Sequence, residues 1–310
     1  MQKFIELGKK IYDLNNPREV HRFAVFIARC VLNSRGMHRV IEFFDGNELL
    51  RRVADNFPYV FEQPTRAFFY HRSTFEERVR LIEEHMTFLQ STLKPSAMLN
   101  LYSNKKIDLR SDKIIKLWSM ELGDELGSMS LILRAEPGQR KEGLAALMLV
   151  LPDGEALYQI IFWIAKDRAG EWSMWIGALQ GPNMDGAKDI IKKITKKCHA
   201  YRTKNLMLYA AQAFARTLGL KNIYAVTNEG YYANNHVRRD RKLKTSLSDF
   251  WQEAGGEHTD DARFDRLPLV EKRKTVEEIP SHKRATYRRR FALLDQLDED
   301  VRQNLLAVMA

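Results

Sequence analysis

The residues best placed for chemistry gather around two chain segments. The apolar run WIGALQGP (175–182) stops abruptly at Gln180-Gly181-Pro182, just before a lysine-studded stretch. Gln180 can donate or accept a hydrogen bond at a reacting carbonyl, and Gly181 lets a ligand approach the backbone. Gln-Gly-Pro also reads as a plain turn, and the two readings are compatible. A second run, KNIYAVT (221–227), closes on Asn228-Glu229-Gly230-Tyr231-Tyr232. Asn228 offers an amide, and the tyrosines could protonate a leaving thiolate or pack over a sheet. Between the two runs, Arg202-Thr203-Lys204-Asn205 opens a helix. Free N–H groups, the positive dipole end and two cations would make an anion site there. Arg202, Lys204 and Asn205 are its expected donors.

Candidate bases are scattered. His199 adjoins Cys198, and His236 follows the NEGYYANN stretch with Asp240 four residues on. Glu121 ends an apolar run, and Glu125 and Glu229 are further carboxylates able to deprotonate an amine. Lys192, Lys193, Lys196 and Lys197 share one helix face, with Lys188 a turn earlier. Lys193 and Lys197 are expected to contribute to donor binding, and a solvated face is the plainer alternative. Arg288-Arg289-Arg290 is a second cluster, able to bind phosphate or to pair with DEDVR downstream. The eight histidines show no HxxxH on a predicted helix, so no metal site is expected. Walker and Rossmann fingerprints are also missing from the sequence.

These residues need elements to hold them. EVHRFAVFIARCVL (19–32) repeats with helical period, placing Phe23, Phe26, Ile27, Cys30 and Val31 on one stripe, with Asn16-Pro17 as its start. HRVIEFFDGNELLRRVADNF and STFEERVRLIEEHMTFLQSTL continue the pattern, the latter behind a capping-box signal at Ser73 and Thr74. A helical segment is expected over 1–95, ending at Leu93-Lys94-Pro95. Five short apolar runs follow between 113 and 180, divided by Gly, Pro and Asp, and read as an antiparallel meander. Pro152-Asp153-Gly154 is the clearest turn. Two helices, the second closed by Gly219, lead to the strand 221–227, which would pair in parallel with 173–179. FWQEAGG (250–256) and a helix after Pro280, capped by Ser281, complete the tail. The expected fold class is α+β: helices, then a mixed, mostly antiparallel sheet flanked by helices over 96–310.

The 310 residues carry a net charge of +10. Lys188 to Lys244 holds fourteen Lys/Arg against three acidic residues, which accounts for that excess. Such a localised basic face suits an acidic partner: a phosphate cofactor, acyl carrier protein, anionic lipid or nucleic acid. Two distant cysteines argue against disulfides and zinc and for a reducing compartment. Neither a secretory leader nor a 20-residue apolar span is readable, so the expectation is a cytoplasmic protein, possible at the inner-membrane periphery.

The order strand, basic helix start, helix ending in Leu-Gly, strand, Asn…Tyr-Tyr over 113–232 resembles the second half of the GNAT superfamily of acetyltransferases. The resemblance implies a donor pyrophosphate at the helix start and an Asn or Tyr beside the cofactor. It implies acyl-CoA or acyl-phosphopantetheine as cofactor. Where that superfamily has a glycine-rich loop, this chain has YRTKNL (201–206). Basic side chains there would instead receive an acyl carrier protein, as in GNAT-like toxin-activating acyltransferases. Over nearly the whole chain, LQG (179–181), RTKNL (202–206), FWQEAGG (250–256) and IPSHKRATYRRR (279–290) resemble the VirK/YbjX family of bacterial proteins. That family is associated with virulence, envelope modification and resistance to antimicrobial peptides in Gram-negative bacteria. Where its members tend to show Gly-Leu-Arg-Pro, this chain has Ala200-Tyr201-Arg202-Thr203. The expected activity is acyl transfer from a thioester to an amine or hydroxyl. The alternatives are an aminoacyl-tRNA-dependent transferase and a non-enzymatic basic module that binds anionic lipid or nucleic acid.

Overall fold

The computed structural model describes residues 1–104, 106–123, 125–234 and 246–310. Its first third is helical, as the periodicity requires: α1 (Gln2–Ile11), α2 (Pro17–Leu32), α3 (Ser34–Asp45), α4 (Glu48–Asn56), α5 (Phe75–Thr92) and α6 (Pro95–Leu101). Asn16 caps α2 by accepting from the Arg18 N–H, with Pro17 in the first turn. The α2 stripe is narrower than expected: Phe26 and Cys30 are buried, but Val31 is 43% exposed. The segment 38–57 divides at Gly46-Asn47, because Asn47 caps α4 through the Leu50 N–H. The capping box of α5 is formed by Thr74 and Glu77, while the Ser73 hydroxyl donates to the Phe68 carbonyl.

The five apolar runs form an antiparallel meander: β1 (Ile115–Gly123), β2 (Gly127–Arg134), β3 (Ala145–Val150), β4 (Ala156–Lys166) and β5 (Trp172–Gln180). Gly154 turns the β3–β4 connection with φ +86°. Helices α7 (Ala187–Lys197) and α8 (Thr203–Thr217) then return the chain, and Gly219 (φ +70°) ends the second of them. Strand β6 (Asn222–Val226) pairs with β5 in parallel, as its position after a crossover helix demands. Next come α9 (Leu247–Glu253), the short hairpin β7 (Glu257–His258) and β8 (Phe264–Leu267), and the long α10 (Arg284–Val308). The strand order is β1-β2-β3-β4-β5-β6-β8-β7. The tail helix starts later than expected: Ser281 lies in a 3-10 turn and makes no side-chain cap.

Neighbouring β4 residues show how the sheet is covered. Phe162 meets Phe214 of α8 at 5.5 Å, whereas Trp163 meets Phe69 of the N-terminal segment at 5.5 Å. Successive strand residues face opposite sides, so helices cover both faces. This explains why every residue of β3 is buried and why its sequence does not alternate. Where β3 ends, α5 takes over its role along β4. The Ile164 N–H donates to His85 Nδ1 and the Lys166 N–H to Glu84 Oε2, both at 2.9 Å.

Candidate functional site

The parallel pair β5 and β6 stays in register only from Ser173↔Asn222 to Ile176↔Ala225. Beyond that point β5 continues to Gln180 against β4, so the two strands part at their carboxyl ends. The β2–β3 loop crosses β4 here and lies on β5. A Cβ on Gly177 would stand 1.7 Å from the Glu142 carbonyl oxygen, so only glycine allows this approach. The loop delivers a buried carboxylate, Glu142, 3% exposed. Gln180 Nε2 donates to Glu142 Oε2 at 2.5 Å and to Gln139 Oε1 at 2.8 Å. The Tyr231 hydroxyl donates to Glu142 Oε1 at 2.7 Å. Burial, followed by the Glu142 charge, drives the Tyr231 pKa far upward, so this group remains a neutral donor. Gln180 is therefore a strut to a carboxylate that the sequence did not single out. Gly177 was its one readable signal, a glycine inside a strand pattern.

The start of α8 lies at the same edge, because the crossover helix follows β5. Arg202 is its N-cap residue and provides no side-chain cap. The first intrahelical bond closes at Leu206 N–H onto the Arg202 carbonyl, which leaves the N–H groups of Thr203, Lys204 and Asn205 pointing out of the helix end. Thr203 Oγ1 and Asn205 Oδ1 are buried without a hydrogen-bond partner among the described residues. Lys204 Nζ sits 3.7 Å from the Phe250 ring centroid, and burial lowers its pKa against the opposing pull of Glu253. Arg202 pairs with Glu253 at 3.2 Å. Asn228 caps α9: its Oδ1 accepts from the Leu247 N–H at 2.8 Å and its Nδ2 donates to Ser246 Oγ at 2.9 Å. The β6 end thus holds α9, and Phe250 of α9 lies against Lys204 of α8.

The other expected residues are more dispersed. His199 and Ala200 form a left-handed turn (φ +53° and +59°) between α7 and α8. The Arg290 guanidinium holds the carbonyls of both, at 3.0 and 3.2 Å, so this member of the arginine cluster is a structural clamp. Lys193 pairs with Glu125 at 2.5 Å, and Lys197 approaches Gly123. Glu121 is exposed on β1, four strands from β5, or roughly 19 Å at normal interstrand spacing. The structure does not bring it to Gln180. His236 and Asp240 lie outside the described residues. Burial pushes the Cys30 thiol up to about 12 and the Cys198 thiol to about 11, so neither is a ready thiolate. No helix among the described residues is long and apolar enough to cross a membrane.

The family described as "Protein of unknown function (DUF535)" matches residues 15–303. An uncharacterized protein of Escherichia coli K12, YbjX, is 36% identical over 159 residues, covering 51% of this chain and 48% of that one. An uncharacterized Haemophilus influenzae Rd protein is 29% identical over 192 residues, covering 61% and 62%. A Mannheimia haemolytica protein named "Membrane protein LapB" is 28% identical over 113 residues, covering 36% and 48%. The chain spans about half to three-fifths of the length of the curated relatives it matches.

Proposed function

The chain belongs to the DUF535 family, and we propose that within it this protein is a GNAT-like acyltransferase. It takes an acyl group from a thioester, acyl-CoA or acyl carrier protein, and passes it to an amine or hydroxyl. The observation that carries this reading is the start of α8: a helix end without a side-chain cap, flanked by Arg202 and Lys204, with the Thr203 hydroxyl buried and unpartnered among the described residues. Buried polar groups are rarely left unmatched, so such an end suits an anion that supplies the missing acceptors. A donor phosphate would accept from the Thr203–Asn205 N–H groups and the Thr203 hydroxyl. The parting of β5 and β6 supports a slot for the donor arm, because ligands of open sheets favour the carboxyl ends of parallel strands.

In this reading the acceptor's nitrogen or oxygen attacks the thioester carbon, the C–S bond breaks with its electron pair going to sulfur, and the thiolate leaves and takes a proton from solvent, to which Glu142 later returns the one it received. Glu142 receives the acceptor's proton. Gln180 and Tyr231 hold that carboxylate in place, and Asn228 positions the α8 start through α9.

Calorimetric titration with CoA and with a phosphopantetheinylated carrier protein tests the site. The expected result is stoichiometric binding that is lost in Arg202→Ala/Thr203→Val. Absence of binding to both ligands would remove the transferase reading.

A second reading, a basic module for an anionic surface or tRNA, draws on α7. Lys188, Lys192 and Lys196 are exposed there and take part in no ion pair among the described residues. A cavity of ≈ 500 Å³ beside Tyr232 adds His21, Arg22, Arg29 and Arg66. This reading places the protein in the cytoplasm or at the periphery of the inner membrane. It predicts binding to anionic vesicles or tRNA that weakens steeply with salt.

A further inference from the structure

A larger cavity, ≈ 690 Å³, opens at the opposite end of the sheet from Gln180. It is framed by the end of β4 and the loop after it, Trp175 of β5, Tyr224 of β6, the β7–β8 hairpin and the first turns of α5. We propose that it binds a neutral pyranoside, one ring of a sugar or glycan.

The floor is set by strand register. Trp163 pairs with Trp175 across β4 and β5, and Trp175 pairs with Tyr224 across β5 and β6. Directly opposed residues share a face, so three aromatic side chains line up on the face of the sheet that meets the N-terminal segment. Trp175 and Tyr224 stack at 4.3 Å and 23°, and Trp163 lies nearly parallel to Trp175 at 5°. Phe264 meets Trp175 edge-on at 5.0 Å. Trp175 and Tyr224 remain half-buried, leaving ring surface to the cavity. Stacked in this way, the rings turn their edges to the cavity and form an apolar floor for the C–H groups of a ligand.

A polar group at the cavity also lacks a partner. Trp175 Nε1 donates to the Ala165 carbonyl at 3.2 Å. Trp163 Nε1, in a residue with no exposed surface, has no acceptor among the described residues. Buried indole N–H groups normally find one. With no surface open to the cavity, this N–H is a cost of the stacked floor and not a contact for a ligand.

The wall decides the charge of the ligand. Five Lys/Arg and five Asp/Glu line it. Arg263 pairs with Asp261 at 2.7 Å and Arg266 with Glu257 at 2.8 Å. Each pair is neutral as a unit, yet presents N–H donors beside carboxylate lone pairs. A hydroxyl is donor and acceptor at once and matches both halves. A phosphate or an ammonium group would be repelled by one half of every pair. The volume falls within the range of small-ligand sites.

Tryptophan fluorescence provides the readout, since Trp163 and Trp175 form the floor. The probes are methyl glycosides of glucose, galactose, mannose, N-acetylglucosamine and rhamnose, with AMP and spermidine as charged controls. The expected outcome is saturable quenching by at least one glycoside. Affinity should fall about tenfold in Trp175→Ala. The exposed rim variant Arg266→Ala should weaken binding as well, with an unchanged circular-dichroism spectrum. It keeps the test valid if Trp175→Ala does not fold. Quenching by AMP or spermidine in preference to every glycoside, or no saturable quenching by any glycoside at millimolar concentration, would overturn the proposal.

Discussion

At the residue scale, two buried contacts make sharp demands. His85 has no exposed surface, and its Nδ1 accepts the Ile164 N–H, so the ring proton is on Nε2 and is directed to the Tyr102 hydroxyl at 2.9 Å. Burial lowers its pKa from 6.5 to about 3. The unfolded chain therefore takes up a proton as pH falls through 6.5, while the folded protein does not until about pH 3. Stability from this group is fully present above pH 6.5 and is lost progressively below it. At pH 5 the loss is about 2 kcal/mol relative to pH 8. Urea unfolding at the two pH values measures it, and His85→Gln, whose side-chain oxygen can still accept from Ile164, should show a shallower dependence on pH. Gly177 is the second case. Gly177→Ala forces the Cβ against Glu142 backbone, so the loop must move off β5. The expected cost is about 3 kcal/mol. An Ala variant as stable as the wild type in the same urea assay would show that Glu142 is not held by this approach.

At the element scale, the start of α8 makes the folded protein less stable than it need be. An unpartnered buried hydroxyl is a net cost, and replacing it by a methyl group of the same shape removes that cost. Thr203→Val should therefore raise the thermal midpoint, by the equivalent of about 1 kcal/mol, in the ligand-free protein. The same change should weaken CoA or carrier-protein binding. A variant that lost both stability and binding would point to a packing role for Thr203 alone. This trade is invisible in sequence, where a threonine after Arg202 reads only as a plausible helix start. The meander was legible because Gly, Pro and Asp divide five long apolar runs, and the parallel pairing followed from a helix between two strands. The hairpin β7–β8 was not, because its strands are two and four residues long and mostly polar. Of the site, the α8 start and Gln180 could be read from local pattern. Glu142 could not, since its burial depends on a loop crossing β4 onto a glycine 35 positions away. The aromatic floor was equally hidden: Trp163, Trp175 and Tyr224 become neighbours only through register.

At the scale of the whole molecule, the helical first third and the sheet are bound by the backbone itself. The Phe69 N–H donates to the Lys141 carbonyl and the His71 N–H to the Gly230 carbonyl, each at 2.8 Å. Gln63 Nε2 donates to the carbonyls of Arg140 and Gly143. Glu62, nearly fully buried, accepts from Tyr12, Arg66 and Arg140. At the far end, the Lys94 N–H donates to Val308 and the Ala310 N–H to Thr92, tying the last residues to the α5–α6 junction. Apolar side chains from both halves join one continuous core. Melting should consequently be a single cooperative step. The tryptophans make this testable without mutation, because all five (118, 163, 172, 175 and 251) lie beyond residue 95. Their fluorescence follows the sheet half and, through Trp163 against Phe69 and Trp172 against Phe88, its seam with the helices, whereas far-ultraviolet circular dichroism is weighted towards helix and includes α1–α6. Coincident transitions are expected. A dichroism transition at lower temperature than the fluorescence change would mean that the helices open first. The Glu142 loop, held by contacts from residues 62–71, would then be a moving part of the site instead of a fixed wall.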